Sequence, residues 1–243
     1  MHRSGTTMLA ATLEACGVFM GAVLDEHHES AVFQAINREL LDRLGCSWRA
    51  IDYLPSVDAL SRCAAHLAPR VAARLERDMK RGYWKRGWWR PRRWGFKDPR
   101  TSILLPVWHR VFPDATVVHI VRDGRSVARS LYERDMQTLG GDGALPEHEL
   151  RARYLGDVAL WEAYERRIRA ALPAFGRPVS VRYETLVEAP AAEIARLVQE
   201  LRLSVRSVDD VARSIVRARD ARPWPAWADG LGMDNALRQE LGY

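Results

Sequence analysis

The sequence predicts a helix-rich α/β fold in which a mostly parallel sheet is flanked by helices. The run 115–121 is short, nearly all apolar and rich in β-branched residues, as expected of a strand buried on both faces, and 178–183 is another predicted strand. Most of the remaining chain has apolar residues at helical spacing. Because strands that alternate with helices are joined by crossover connections, parallel pairing is favoured.

The other elements follow in chain order. A third, shorter strand is predicted at 94–97. Ser56 is expected to cap the third helix, since serine is a preferred N-cap residue. The predicted helices cover 6–15, a segment beginning near 29, 56–80, 101–111, 125–138, 147–172 and two segments after 183. We expect one domain over 1–243, in which 29–93 is a helical insertion with a basic and aromatic end.

Composition excludes several classes of protein. With 47% hydrophobic and 28% charged residues, the 243-residue chain can fill a core. No apolar run reaches the ~18 residues of a membrane span, and the first residues lack the apolar core of a secretory signal. Three cysteines without a CxxC pair indicate a reducing compartment and no structural zinc site. We therefore expect a cytoplasmic protein whose net charge of +6 favours anionic ligands.

The first candidate site is a glycine turn directly before the first helix. Arg3, Ser4, Gly5, Thr6 and Thr7 form it. Backbone N–H groups and the positive end of a helix dipole bind phosphate at such a turn, and the hydroxyls and the arginine add donors. The alternative is an ordinary helix cap by Ser4. The turn lacks the Lys-Ser/Thr pair with which nucleoside triphosphatases hold Mg²⁺ and phosphate.

The second candidate site follows the strand at 115–121. Arg122 ends this strand, and Ser130 comes eight residues later on the next helix. Open α/β sheets bind ligands at the carboxyl ends of their strands, so Arg122 lies where an anion would be met. The alternative is a salt bridge between Arg122 and Asp123.

Together the two segments resemble the donor-binding segments of the sulfotransferase family, which uses 3′-phosphoadenosine-5′-phosphosulfate (PAPS). The turn resembles the 5′-phosphosulfate loop, and Arg122 with Ser130 resembles the 3′-phosphate segment. Segments 94–100, 112–115 and 241–243 resemble the bacterial carbohydrate-type branch of that family. Residues 182–184 resemble the strand that places an aromatic side chain near the adenine, here Tyr183. The resemblance implies a P-loop-like sheet and a donor used without a metal ion.

The resemblance also implies roles for individual residues. Arg3, with the loop amides and the two threonines, would stabilise the departing 5′-phosphate. Glu29 is the first candidate for the general base, because the carbohydrate-type branch has an acidic residue near the acceptor in this region. His28 is the second, since imidazole titrates near neutral pH. Lys97 would contact the sulfuryl group or the acceptor, and the alternative for Lys97 is a structural salt bridge.

Two basic segments remain. Arg219 and Arg222 are candidates for a further 3′-phosphate contact. The segment 80–94, rich in Trp, Lys and Arg, fits an acidic or sugar acceptor, a membrane surface, or a packed helix end with snorkelling basic groups. No nucleic-acid-binding motif accompanies it, so we expect a small-molecule or glycan acceptor and no nucleic acid.

The expected function is transfer of a sulfuryl group from PAPS to a hydroxyl, with a carbohydrate as one such acceptor. One alternative is a P-loop kinase for small molecules, for which Asp123 would imitate a metal-binding acid. Another is a module that binds a nucleotide or an acidic glycan without chemistry.

The start of the chain carries one further expectation. In the resembled family an apolar strand precedes the phosphate loop, whereas here the loop follows Met1 by two residues. The sequence thus predicts a missing first strand of about 8–10 residues with its lead-in.

Overall fold

The fold is described from a computed structural model of the 243-residue chain. The structure describes residues 1–84, 93–139, 145–215, 228, 231 and 236–243. Arg219, Arg222 and residues 85–92 of the basic aromatic segment lie outside the described residues, so the predictions for them stay predictions.

The described residues contain ten α-helices and two β-strands. In chain order they are α1 (Thr6–Ala15), α2 (Ala31–Arg43), α3 (Val57–Asp78), α4 (Leu105–Val111), β1 (Val118–Val121), α5 (Gly124–Leu139), α6 (Glu147–Ala171), β2 (Val179–Arg182), α7 (Tyr183–Glu188), α8 (Pro190–Glu200), α9 (Val208–Ile215) and α10 (Ala236–Glu240). A π-helical turn, Met79–Tyr83, and two 3₁₀ turns, Pro99–Ile103 and Leu172–Phe175, complete them. The prediction of a helix-rich α/β chain is confirmed.

Most predicted helices form near their expected bounds. Ser56 caps α3 as predicted, because its hydroxyl accepts a hydrogen bond from the amide of Ala59. The helix predicted over 101–111 is divided. Its first part is the 3₁₀ turn that begins at Pro99, and α4 follows with Pro106 in its first turn, where proline is tolerated.

The sheet consists of β1 and β2, which pair in parallel as predicted. Val118 lies opposite Val179, and Val121 lies opposite Arg182. The predicted strand at 94–97 is wrong: it makes a single parallel bridge, between Phe19 and Trp94.

β1 also borders a cavity of about 710 Å³, and the other walls of this cavity include residues 94–99.

The strand expected ahead of the phosphate loop stays a prediction.

The described residues form two large buried cores, and the smaller one contains the sheet. The larger joins α2, α3, α4, α5 and α6, and it is rich in aromatic side chains. Phe33 of α2 stacks on Phe96 at 3.7 Å between ring centroids, and the indole of Trp108 donates to Asn37. Much of the 29–93 insertion therefore shares this core with the rest of the chain. The smaller core joins α1, β1, β2, α7, α8 and α9.

Among the described residues, no helix is both long and apolar enough to cross a membrane.

Candidate active site

The predicted phosphate loop folds as a tight turn into α1. Arg3 and Gly5 both adopt left-handed backbone conformations, with φ of 64° and 88°. Gly5 precedes the first helical residue, and no side chain of the described residues caps the helix there. The alternative of a Ser4 cap is therefore wrong. A helix N-terminus without a side-chain cap can bind an anion with the amides of its first turn, and the partly exposed Thr6 and Thr7 lie beside these amides. Ser4 is fully buried, so its side chain is not presented at the loop surface.

The two predicted anion-binding segments meet. The Nε of Arg3 donates to the hydroxyl of Ser130 at 2.9 Å, and Arg122 donates to the backbone carbonyl of Arg3 at 3.0 Å. Asp123, the alternative partner of Arg122, accepts a hydrogen bond from Arg238 of α10 at 2.7 Å. The fold thus brings together residues that lie more than a hundred positions apart in the sequence.

Tyr183 completes this cluster from the end of β2. The guanidinium of Arg122 lies 4.3 Å from the centre of its ring, a cation–π distance. The same ring packs on Gly5, where a Cβ atom would lie 2.3 Å from its Cδ2 atom. The loop therefore requires glycine at this position for two reasons, the positive φ and the ring against it.

The last residues of the chain support the end of β2. The phenol of Tyr243 donates to Glu184 at 2.9 Å, and the other oxygen of Glu184 accepts from the amide of Asp123 at 3.1 Å. Arg182 lies over the Tyr243 ring and donates to the carbonyl of Leu241. Two segments singled out in the sequence, 182–184 and 241–243, thus contact each other and hold the residue before Tyr183.

A buried carboxylate and a lysine lie on the other side of the phosphate loop. The Nζ of Lys97 lies 2.8 Å from Oε1 of Glu29 and 3.4 Å from Oγ1 of Thr7. The side chains of Lys97 and Glu29 are only 10% and 7% exposed. Since burial strengthens an ion pair and removes water from it, this lysine is held firmly between the carboxylate and the loop.

Further polar groups contact the carboxylate of this pair. Arg100 lies 3.5 Å from Oε2 of Glu29 and binds Asp98 at 2.8 Å. Gln34 of α2 donates to Oε2 of Glu29 at 2.9 Å. Its role was not predicted from the sequence, because nothing local marks a glutamine in a helix as a partner of a distant carboxylate.

The second candidate base points elsewhere. His28 has a left-handed backbone with φ of 57°, and its Nδ1 atom lies 3.0 Å from Glu14 at the end of α1. The structure therefore brings Glu29, and not His28, into contact with Lys97.

The contacts among the phosphate loop, Lys97 and Glu29 suit one class of chemistry. A helix N-terminus with arginine and threonine donors can bind an anionic group, and here a lysine connects it to a carboxylate that can accept a proton. Transfer of a group from an anionic donor to a protic acceptor uses parts of this kind.

Comparison with known proteins identifies the family. The sequence profile described as "Sulfotransferase family" matches residues 1–207, and the chain belongs to that family. Two curated relatives, from Caenorhabditis elegans and Caenorhabditis briggsae, are both named "Putative protein-tyrosine sulfotransferase". Each is 28% identical to the chain over 111 residues, which is 44% of this chain and 39% and 36% of the two relatives. The chain thus spans less than two fifths of the length of these relatives.

The predicted family is confirmed, and its carbohydrate-type branch stays a prediction. One residue of the cluster was missed from the sequence: Arg238, which is 7% exposed and pairs with Asp123. The sequence held no local signal for it, because α10 reaches the end of β1 only in the folded chain.

Proposed function

We propose that this chain transfers a sulfuryl group from PAPS to a hydroxyl acceptor. One observation carries the proposal: the ammonium group of Lys97 lies between the carboxylate of Glu29 and the hydroxyl of Thr7. A proton acceptor, a cation and an anion-binding loop thereby stand in contact. Transfer of SO₃ between two oxygens needs these three parts, because charge develops on the leaving oxygen while the acceptor loses a proton.

The residues at the loop fit the donor. The uncapped amides of α1, with Arg3, Thr6 and Thr7, would hold its 5′-phosphosulfate. Arg122 and Ser130 would hold its 3′-phosphate, and Tyr183 offers an aromatic face to the adenine between them. The fit rests on the cluster in which Arg3 touches Ser130 and Arg122 touches both Arg3 and Tyr183. The finer roles of Ser4, Arg219 and Arg222 in donor binding stay predictions.

The protein residues divide the chemical step between them. The acceptor oxygen forms a bond to sulfur while the bond from sulfur to the bridging oxygen of the donor breaks. Glu29 takes the proton of the acceptor hydroxyl. Lys97 and Arg3 stabilise the negative charge that adenosine 3′,5′-bisphosphate carries away, because buried cations act strongly on charge in a site with little water.

The identity of the acceptor is supported less directly than that of the donor. The names of the two curated relatives make the tyrosine hydroxyl the first acceptor to test. The resemblance of several segments to the carbohydrate-type branch makes a sugar hydroxyl the second. Both present an O–H group of the kind that Glu29 would deprotonate.

The test uses ³⁵S-labelled PAPS with two acceptor pools, tyrosine-containing peptides and oligosaccharides. We expect labelled product from one pool and no requirement for Mg²⁺. We expect Glu29→Gln to lower turnover at least a hundredfold, about the low end of the contribution of a general base. Affinity for adenosine 3′,5′-bisphosphate should stay within about twofold, since the variant keeps the loop. The control is Glu188→Gln, whose side chain is exposed on α7.

Other outcomes would contradict parts of the proposal. Binding and turnover of ATP with Mg²⁺ would favour a kinase, and donor binding without transfer to either pool would favour a binding module. Full turnover in Glu29→Gln would move the general base to His28. Full turnover in Arg3→Ala would refute the role of Arg3.

A further inference from the structure

We infer that Gln34 is a positioning residue of the reaction: with Asp25, it fixes the carboxylate of Glu29 and leaves part of that carboxylate open to the acceptor. This inference rests on the proposed function. It concerns Gln34 and Asp25, two residues for which the sequence resemblance implies no role.

One side-chain amide bridges two carboxylates. The Nε2 of Gln34 lies 2.7 Å from Oδ2 of Asp25 and 2.9 Å from Oε2 of Glu29. The amide nitrogen has two hydrogens, so both bonds can form at once. Since two carboxylates would otherwise repel each other, a donor between them holds both in place.

Asp25 in turn shapes the loop from which Glu29 projects. Its Oδ1 atom accepts the backbone amides of His27 and Glu29, both at 2.9 Å. The backbone of Asp25 also donates to the carbonyl of Glu29 at 3.0 Å. Burial acts to raise the pKa of the Asp25 carboxyl, but the amides of Glu29 and His27 and the side chain of Gln34 outweigh it and lower that pKa. Asp25 therefore stays charged and keeps the loop closed.

These contacts do not use every hydrogen-bond acceptor position of Glu29. A carboxylate has about four acceptor positions, two on each oxygen. Within the described residues, Lys97 donates to Oε1 and Gln34 donates to Oε2, and Arg100 stands 3.5 Å from Oε2. A position remains for the acceptor hydroxyl, and the two fixed donors set the direction in which it lies. Because proton transfer needs hydrogen-bond geometry, a small rotation of the carboxylate would slow it.

The charged surroundings of Glu29 bear on any pH dependence. The groups that face it or its immediate partners are Lys97, Arg100, Asp98, Asp25 and the His28–Glu14 pair. Gln34 is neutral, so replacing it by methionine removes a hydrogen bond to the charged form of Glu29 and leaves these charges unchanged.

The experiment compares Gln34→Met and Gln34→Glu with the wild type, and Gln199→Met on the exposed face of α8 serves as control. The probe is the acceptor pool that the wild type labels from PAPS. In Gln34→Met we expect kcat to fall about tenfold, the worth of one lost hydrogen bond to a charged group. The acid limb of the pH profile of kcat/KM should move up by about one pH unit, because the charged base has lost a donor. Gln34→Glu should move it further. Affinity of Gln34→Met for adenosine 3′,5′-bisphosphate should match that of the control.

The possible failures are distinguishable. If the wild type transfers label and Gln34→Met has the same kcat and the same acid limb, this inference is overturned and the proposed function stands. If Gln34→Met loses donor affinity and thermal stability without moving the acid limb, Gln34 is only structural and the inference is again overturned. If the wild type binds no donor and labels neither pool, the proposed function itself fails.

Discussion

Gly5→Ala perturbs the contact between the phosphate loop and Tyr183. The added Cβ atom would lie 2.3 Å from Cδ2 and 2.8 Å from Cε2 of the Tyr183 ring, so the ring must move. That ring also carries the guanidinium of Arg122 on its face, at 4.3 Å. A single methyl group therefore displaces an element of the donor site without touching the anion-binding side chains themselves.

The size of the effect can be separated into two parts. A left-handed conformation costs a residue with a Cβ atom about 1–2 kcal/mol relative to glycine. Forcing a methyl group into a packed contact costs a further ~1–3 kcal/mol. Gly45→Ala is the matched control, because Gly45 has φ of 66° and the described residues place nothing within 4 Å of its added Cβ atom. Gly45→Ala should therefore show the first part alone.

Urea unfolding and calorimetric titration with adenosine 3′,5′-bisphosphate would check this reasoning. We expect the free energy of unfolding of Gly5→Ala to fall below that of Gly45→Ala by about 1–3 kcal/mol. Nucleotide affinity should fall at least tenfold in Gly5→Ala and stay unchanged in Gly45→Ala. Equal losses of stability in the two variants, together with unchanged affinity, would refute the packing of Tyr183 on the loop.

Two further predictions concern stability. Gly124→Ala would place a Cβ atom 2.4 Å from the ring of Trp161 and should destabilise the protein by about 1–3 kcal/mol in urea unfolding. Gly156→Ala, in α6 with open space among the described residues, should stabilise it by about 0.5–1 kcal/mol, and the opposite order would contradict the packing of α5 on α6. Burial raises the pKa of Asp157 to about 6 although Arg49 opposes the shift, so the native state holds a proton that the unfolded chain releases near its ordinary value of 3.8. Stability relative to Asp157→Asn should therefore fall by about 2–3 kcal/mol as the pH rises from about 4 to about 6, and parallel pH curves of the two proteins would contradict this.

The helices and the parallel pairing were predictable because their signals are local. Apolar periodicity marks α6, and a serine at the right place marks the start of α3. The strand predicted at 94–97 was wrong because an extended segment becomes a strand only where a partner continues the pairing. Trp94 pairs with Phe19 for one bridge only.

The residues of the candidate site were likewise predictable only where their signals are local. The glycine turn before α1 and the arginine at the end of β1 carry their chemistry in neighbouring residues, so Arg3 and Arg122 could be singled out from the sequence. Gln34 and Arg238 act on carboxylates that the fold brings to them, and their own neighbours carry no sign of it. The different partners of Glu29 and His28 also needed coordinates, since adjacent residues in a loop can point in different directions.

The hydrogen bond between Arg3 and Ser130 has a consequence for how the two ends of the proposed donor would bind. It joins the group expected at one phosphate to the group expected at the other. A fragment with only a 5′-phosphate that draws Arg3 toward itself would break this bond and leave the buried hydroxyl of Ser130 to find another partner. A fragment with only a 3′-phosphate would release Arg3 in the same way. Each fragment alone must therefore break the hydrogen bond between Arg3 and Ser130, whereas the intact nucleotide breaks it once for both of its phosphates. The binding free energies of the two fragments should therefore add up to a weaker binding than that of the whole nucleotide. The binding of one end of the nucleotide would therefore favour the binding of the other end to the same protein molecule.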